Sequence, residues 1–273
     1  MTVATDIIIP QTTPLYHTLQ QWVTEKRLLF FAGLPGVGKS LLLQQAALMA
    51  YQAGRTVHLL QWDVARAAFE TPPLLARYPE VAGVTHPAIR QAVGRWARRA
   101  VQQWHERHPA AEHLLIGELP LLGNRLLALV EEQPDGAEAL LAGPSAHFVI
   151  PVPTQAVRQV IETARARTIA APQHHKERAD APPNVLQLLW HDLYRLAGEL
   201  DLIPGDVAQT SSAALPAYDP QIYGAVYQHL LHARPTSVLS IATVLPKVGS
   251  VYALPIPVNE IVATLAEVDA IIN

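Results

Sequence analysis

A chain of 273 residues is long for one domain and short for two full ones, and half of it is hydrophobic, so a large core can be buried. Only 16% of the residues are charged, with a formal net charge of −3, which excludes a disordered chain and the broad basic field that a long nucleic-acid partner requires. The absence of cysteine excludes disulfides, thiolate zinc sites and cysteine nucleophiles.

In chain order, Met1 to Thr13 reads as an irregular or edge-strand lead-in with no secretory signal, and Pro14 to Lys26 as a short helix. Arg27-Leu-Leu-Phe-Phe-Ala32 is a short apolar run closed by glycine, the pattern of a buried strand. Good helix formers from Lys39 to Ala53 end at Gly54, and Thr56 to Trp62 predicts a second strand. Four prolines between Pro72 and Pro87 mark loop and short helix. Ala88 to Arg107 predicts a helix with its arginines on the solvated side.

His113 to Ile116 is the expected third strand, Gly123 to Glu132 a helix, and His147 to Ile150 the fourth strand. A helix from Thr154 to Thr168 leads into a polar, proline-rich stretch, Ala170 to Pro183, read as loop or lid. Asn184 is expected to cap a helix through Leu200, Pro220 to His232 forms another, Ser237 to Val244 is a fifth strand and Val258 to Ile271 a last helix. Strands written as continuous apolar runs and alternating with helices predict a parallel five-stranded sheet with helices on both faces. Residues 1–273 are expected to form one domain, with 154–200 as a lid and helical subregion. The greasiest stretch, Leu114 to Val130, is broken by Glu118, Pro120, Asn124 and Arg125, so a soluble, cytoplasmic protein without a membrane partner is expected.

The chemistry concentrates at Gly33-Leu34-Pro35-Gly36-Val37-Gly38-Lys39-Ser40, a complete match to G-x-x-x-x-G-K-[ST] between a strand and a helix. Glycines let successive amides wrap a phosphate, Lys39 neutralises the β and γ oxygens, and the Ser40 hydroxyl ligates Mg²⁺. The helix that follows adds its N-terminal partial charge. Gly33, Pro35, Gly36, Val37, Gly38, Lys39, Ser40 and Leu41 are thus the expected nucleotide-binding residues.

With these residues, Arg27 to Ala53 resembles the opening β-loop-α unit of the P-loop NTPase superfamily, most similar to its nucleoside and nucleotide kinase branch. The resemblance implies a three-layer α/β fold, ATP and Mg²⁺ as cofactors, and phosphoryl transfer to a small-molecule acceptor such as a nucleoside or nucleotide. Its alternative is an NTP-hydrolysing switch or assembly ATPase. No [NT]-K-x-D guanine motif occurs in the chain. Neither the acceptor nor an oligomeric state is specified by sequence.

Glu118, after the third strand, takes the position of a Walker B acid that holds the metal with Ser40, or is an exposed acid in a turn. Asp63, after the second strand, either accepts the acceptor's proton, with Arg66 one turn on, or caps the helix that carries Arg66. Arg158, Arg165 and Arg167 precede the lid, where planar guanidinium forks suit phosphate oxygens; their alternative is a solvated helix face. Arg165 and Arg167 are the catalytic candidates. Arg125 could reach the acceptor from the turn after the third strand, or lie on the surface beside a capping Asn124. The histidine pairs His105/His108 and His174/His175 lack a third ligand at motif spacing and read as surface residues.

Overall fold

The computed structural model describes residues 7–81, 84–203, 216–246 and 249–272. Residues 1–6 of the expected lead-in lie outside the described residues. Six strands form one sheet: β1 (Leu28–Ala32), β2 (Thr56–Leu60), β3 (His113–Leu119), β4 (Ala146–Pro153), β5 (Thr236–Ile241) and β6 (Val258–Glu260). Their order is β5-β4-β1-β3-β2-β6 and every pairing is parallel.

The helices are α1 (Pro14–Glu25), α2 (Lys39–Gln52), α3 (Trp62–Phe69), α4 (Pro72–Arg77), α5 (Pro87–Arg107), α6 (Glu138–Leu141), α7 (Gln155–Ala170), α8 (Pro183–Glu199), α9 (Pro220–Leu230) and α10 (Leu265–Ile272). Short 3-10 turns cover Leu127–Leu129 and His175–Ala179.

The four inner strands, β1 to β4, are buried over most of their length because both faces of the sheet are covered there, whereas the edge strands β5 and β6 are partly exposed. Side chains alternate across a strand, so β1 sends Leu28, Phe30 and Ala32 into one core and Leu29 and Phe31 into the other. The first core also holds Trp96 and Trp104 of α5, Leu193 of α8 and Tyr223 of α9, with Phe30 stacked on Phe148 at 5.0 Å between centroids. The second is built against α1 and α2, through Leu19, Leu42 and Ala46. Three layers result. Each fully buried Leu, Ile or Phe contributes about 1.5–3 kcal/mol of transfer free energy, so the two apolar faces carry the fold.

Several expectations are corrected. The sheet has six strands, because Val258–Glu260 pairs with β2 instead of opening the last helix. The helix starts only at Leu265, where Thr264 and Glu267 cap each other: Glu267 N donates to Thr264 Oγ1 at 3.3 Å and Thr264 N to Glu267 Oε2 at 2.8 Å. Gly123 to Glu132 is not a helix. Leu121, Asn124 and Leu126 stand at φ near +60° (59°, 61° and 62°), and Leu121 and Arg125 bridge each other in a tight turn.

Asn184 does not cap α8, which begins at Pro183 with Pro182 as its N-cap. β2 stops at Leu60, and Trp62 to Phe69 is helical. Not every arginine of α5 is solvated: Arg98 is buried and bonds Asp135 at 2.6 Å and Glu138 at 2.5 Å. Arg234 joins the same carboxylate at 2.6 Å, and these guanidinium bonds, Arg234 foremost, hold the Glu138 carboxyl down at about 2.

Candidate functional site

The loop from 33 to 38 leaves the C-terminal end of β1 and turns into α2, with Gly36 and Gly38 at φ 81° and 92°. That left-handed backbone is costly for residues with a Cβ. Gly38 is also the N-cap, and no side chain caps the first turn of α2. Its amides are thereby left to an anion or to water. Gly33 donates its N–H to Leu119 O at 3.0 Å, tying the loop to the end of β3. A Cβ on Gly33 would come within 2.2 Å of the Tyr223 hydroxyl and 2.9 Å of Val37 Cγ2, so a side chain there would displace the loop or α9.

Lys39 is buried, and its Nζ donates to Leu34 O at 2.8 Å. Burial lowers its pKa to about 8, against the stabilising charge of Glu118. Ser40 Oγ donates to Glu118 Oε2 at 3.2 Å. Glu118 lies inside β3, opposite Phe31 of β1, and not in an exposed turn. Burial raises its carboxyl above the ordinary range, while Lys39 pulls it back. Ser40 and Glu118 therefore bring two hard oxygen donors together, chemistry suited to a small divalent cation.

The loop forms one wall of a cleft of about 420 Å³, to which Lys39, Ser40, Asp63, Arg66, Glu118 and Arg165 contribute. Pro35, Gly36, Val37, Gly38, Leu41 and Arg125 line it as well. Asp63 stands in the first turn of α3, on the helix rather than at the strand end. It lines the cleft with a side chain that is 57% exposed, and Arg66 Nη2 approaches it at 3.5 Å. Desolvation within the recess raises the Asp63 carboxyl, and Arg66 opposes the rise. Arg66 is further braced by Glu70 at 3.3 Å and by Thr85 Oγ1 at 3.2 Å. Arg125 is held by the turn at Leu121, and burial lowers its pKa, with Arg90 adding repulsion.

The three arginines of α7 part company. Arg158 is buried, bonded to Glu162 at 2.7 Å and seated over the Tyr218 ring at 4.8 Å. Its Nη2 lies 4.0 Å from where a Cβ on Gly36 would stand, and its buried Nη1 has no hydrogen-bond partner among the described residues. Arg165 enters the cleft and pairs with Asp180 at 2.7 Å. Arg167 is exposed and does not line the cleft, so geometry groups Arg158 with the loop instead.

Asp180 and Tyr252 were not evident from sequence. The Tyr252 hydroxyl donates to Asp180 Oδ1 at 2.5 Å, joining the 171–182 segment to the chain after β5. Burial raises the Tyr252 pKa above its ordinary value. Only the polar composition of the segment hinted at Asp180, and nothing marked Tyr252. No helix among the described residues is long and apolar enough to cross a membrane. No protein-family model matches the chain, and neither does any curated protein or solved structure.

Proposed function

We propose that this protein is a Mg²⁺-dependent phosphotransferase of the P-loop NTPase kind, which binds ATP at residues 33–41 and passes its γ-phosphoryl group to a small molecule. The observation that carries the reading is that the glycine loop, Lys39, Ser40 and Glu118 line one cleft together with Asp63, Arg66 and Arg125. The residues fit a magnesium nucleotide. Among the described residues, a buried lysine bonded only to a loop carbonyl, a first helical turn without a side-chain cap and a half-partnered buried Arg158 all favour a polyanion.

In this reading Lys39 and the loop amides hold the phosphates. Ser40 and Glu118 hold Mg²⁺, which when bound offsets the charge of the transferring group. Arg158 and Arg165 receive the charge on the phosphoryl oxygens. Asp63 orients an acceptor hydroxyl and takes its proton as the oxygen–phosphorus bond forms and the bond to ADP breaks. Arg66 and Arg125 bind anionic parts of the acceptor, which suits a nucleotide or another phosphorylated small molecule.

The test is product formation across a panel of small acceptors, with two variants. Asp63→Asn should lower transfer by about two to four orders of magnitude, an upper range because loose phosphoryl-transfer transition states ask little of a base, and leave ATP affinity nearly unchanged. Glu118→Gln should impair turnover with every acceptor, water included. Hydrolysis without any phosphorylated product, and unaffected by Asp63→Asn, would replace this reading with an ATP-hydrolysing switch.

A further inference from the structure

At the opposite end of the sheet, three histidines from separate elements meet. His58 comes from β2, His113 opens β3, and His108 is the C-cap of α5. One ligating atom of each lies within 4.8 Å of the others. His58 Nε2 and His113 Nδ1 are 3.1 Å apart, and the ring centroids are separated by 4.5, 4.6 and 5.3 Å. A tetrahedral zinc bound at about 2.0–2.1 Å sets its nitrogen ligands roughly 3.3 Å apart, close to the spacing of the His58–His113 pair.

We infer that His58, His108 and His113 form a binding site for a late first-row divalent metal, zinc in particular. Three imidazoles and no carboxylate select Zn²⁺, Cu²⁺ or Ni²⁺ over Mg²⁺ or Ca²⁺, so this site is chemically separate from the oxygen donors at Ser40 and Glu118. Glu118 lies five positions along β3 from His113, about 16 Å along the strand.

The connection carrying two of the ligands is braced before any metal arrives. Arg27 bonds the backbone carbonyls of His108 and Pro109, and Arg55 bonds that of His113 at 3.0 Å. Trp104 meets His58 edge-on and shields the cluster from the core side. Arg27, Arg55 and Arg107 lie nearby and oppose a dication, with Glu112 as the countercharge, which favours an anion or hydroxide as the fourth ligand.

A bound metal would clamp the end of α5 to two adjacent strands. His105, which shares the end of α5, is outside the cluster, as are His174 and His175. The sequence could not show the site, because its ligands lie 50 and 5 residues apart in three elements.

The experiment is titration of chelator-stripped full-length protein with Zn²⁺, and with Co²⁺ as a spectroscopic probe. One equivalent should bind, raise the melting temperature and, for Co²⁺, give the intense visible absorption of a tetrahedral nitrogen-bound ion. His108→Gln and His113→Gln, both at partly exposed positions, should fold yet lose the bound equivalent and the absorption. A His174→Ala/His175→Ala variant should keep both. Folded wild-type protein that binds no zinc, binding that survives His108→Gln and His113→Gln, or binding lost with His174 and His175 would each overturn the assignment and leave an aromatic cluster.

Discussion

At the residue scale, phosphate binding turns on Lys39. Its ammonium is buried beside Glu118 and satisfied by one loop carbonyl, and burial lowers its pKa from 10.5 to about 8. Because the folded value lies below the unfolded one, the charged lysine costs stability below pH 8, and that cost is relieved between pH 8 and 10.5. Nucleotide binding runs the other way. A bound polyphosphate favours the ammonium, so affinity is full below pH 8 and falls by about tenfold per pH unit above it, until the lysine of the complex titrates too. Calorimetric titration with Mg-ATP in buffers of different ionisation enthalpy should show uptake of about one proton at pH 9 and little at pH 7. Equal uptake at both would remove Lys39 from phosphate binding.

The glycine loop was legible because its pattern is written in eight contiguous positions between a strand and a helix, whereas Asp63 and Glu118 were sought just past strand ends and stand instead on α3 and inside β3. Asp180 and Tyr252 were not legible, since they meet across 72 residues through one side-chain bond. The cluster at His58 escaped for the same reason.

At the scale of elements, local signals carried β1, α2 and α7, whose cap Thr154 accepts from Val157 N at 3.3 Å. Where tertiary pairing overrides local preference, they misled. β6 is three residues long and exists because β2 offers it an edge. Leucines at positive φ near Arg125 reflect a turn imposed by the surrounding core, a conformation no propensity favours for Leu. The arginine pattern of α5 gave no hint of Arg98, because its partners lie 37 and 40 residues away.

The segment 171–182 is tethered to its surroundings chiefly by polar bonds: Arg165 to Asp180, Tyr252 to Asp180, and Lys176 to Glu260 at 2.9 Å. These pairs are partly buried, but Glu177 is the one fully buried side chain among those described in the segment, so the segment should open more readily than the sheet. Hydrogen exchange of its amides should be faster than that of the sheet, and should slow markedly when Mg-ATP and an acceptor are both bound. Unchanged protection on adding both would make it a fixed surface segment and not a lid.

For the whole molecule, the parallel sheet sets the loop after β1, the acid on β3 and the helix after β2 at one end, which is where open α/β sheets hold ligands. The histidine cluster occupies the other end, and the Arg98–Glu138–Arg234 network ties α5 and the turn before β5 to the chain between β3 and β4. One end is thus left to chemistry and the rest to holding shape.

The central claim is that the glycine loop binds the phosphates of ATP through Lys39. Equilibrium binding of a labelled ATP analogue with Mg²⁺ to wild-type protein and to folded Lys39→Ala protein tests it most directly. Loss of a desolvated charge-assisted contact is worth roughly 2–4 kcal/mol, so affinity should fall by about thirtyfold to a thousandfold in the variant. Equal affinity of the two proteins, or no binding by the wild type, would contradict it.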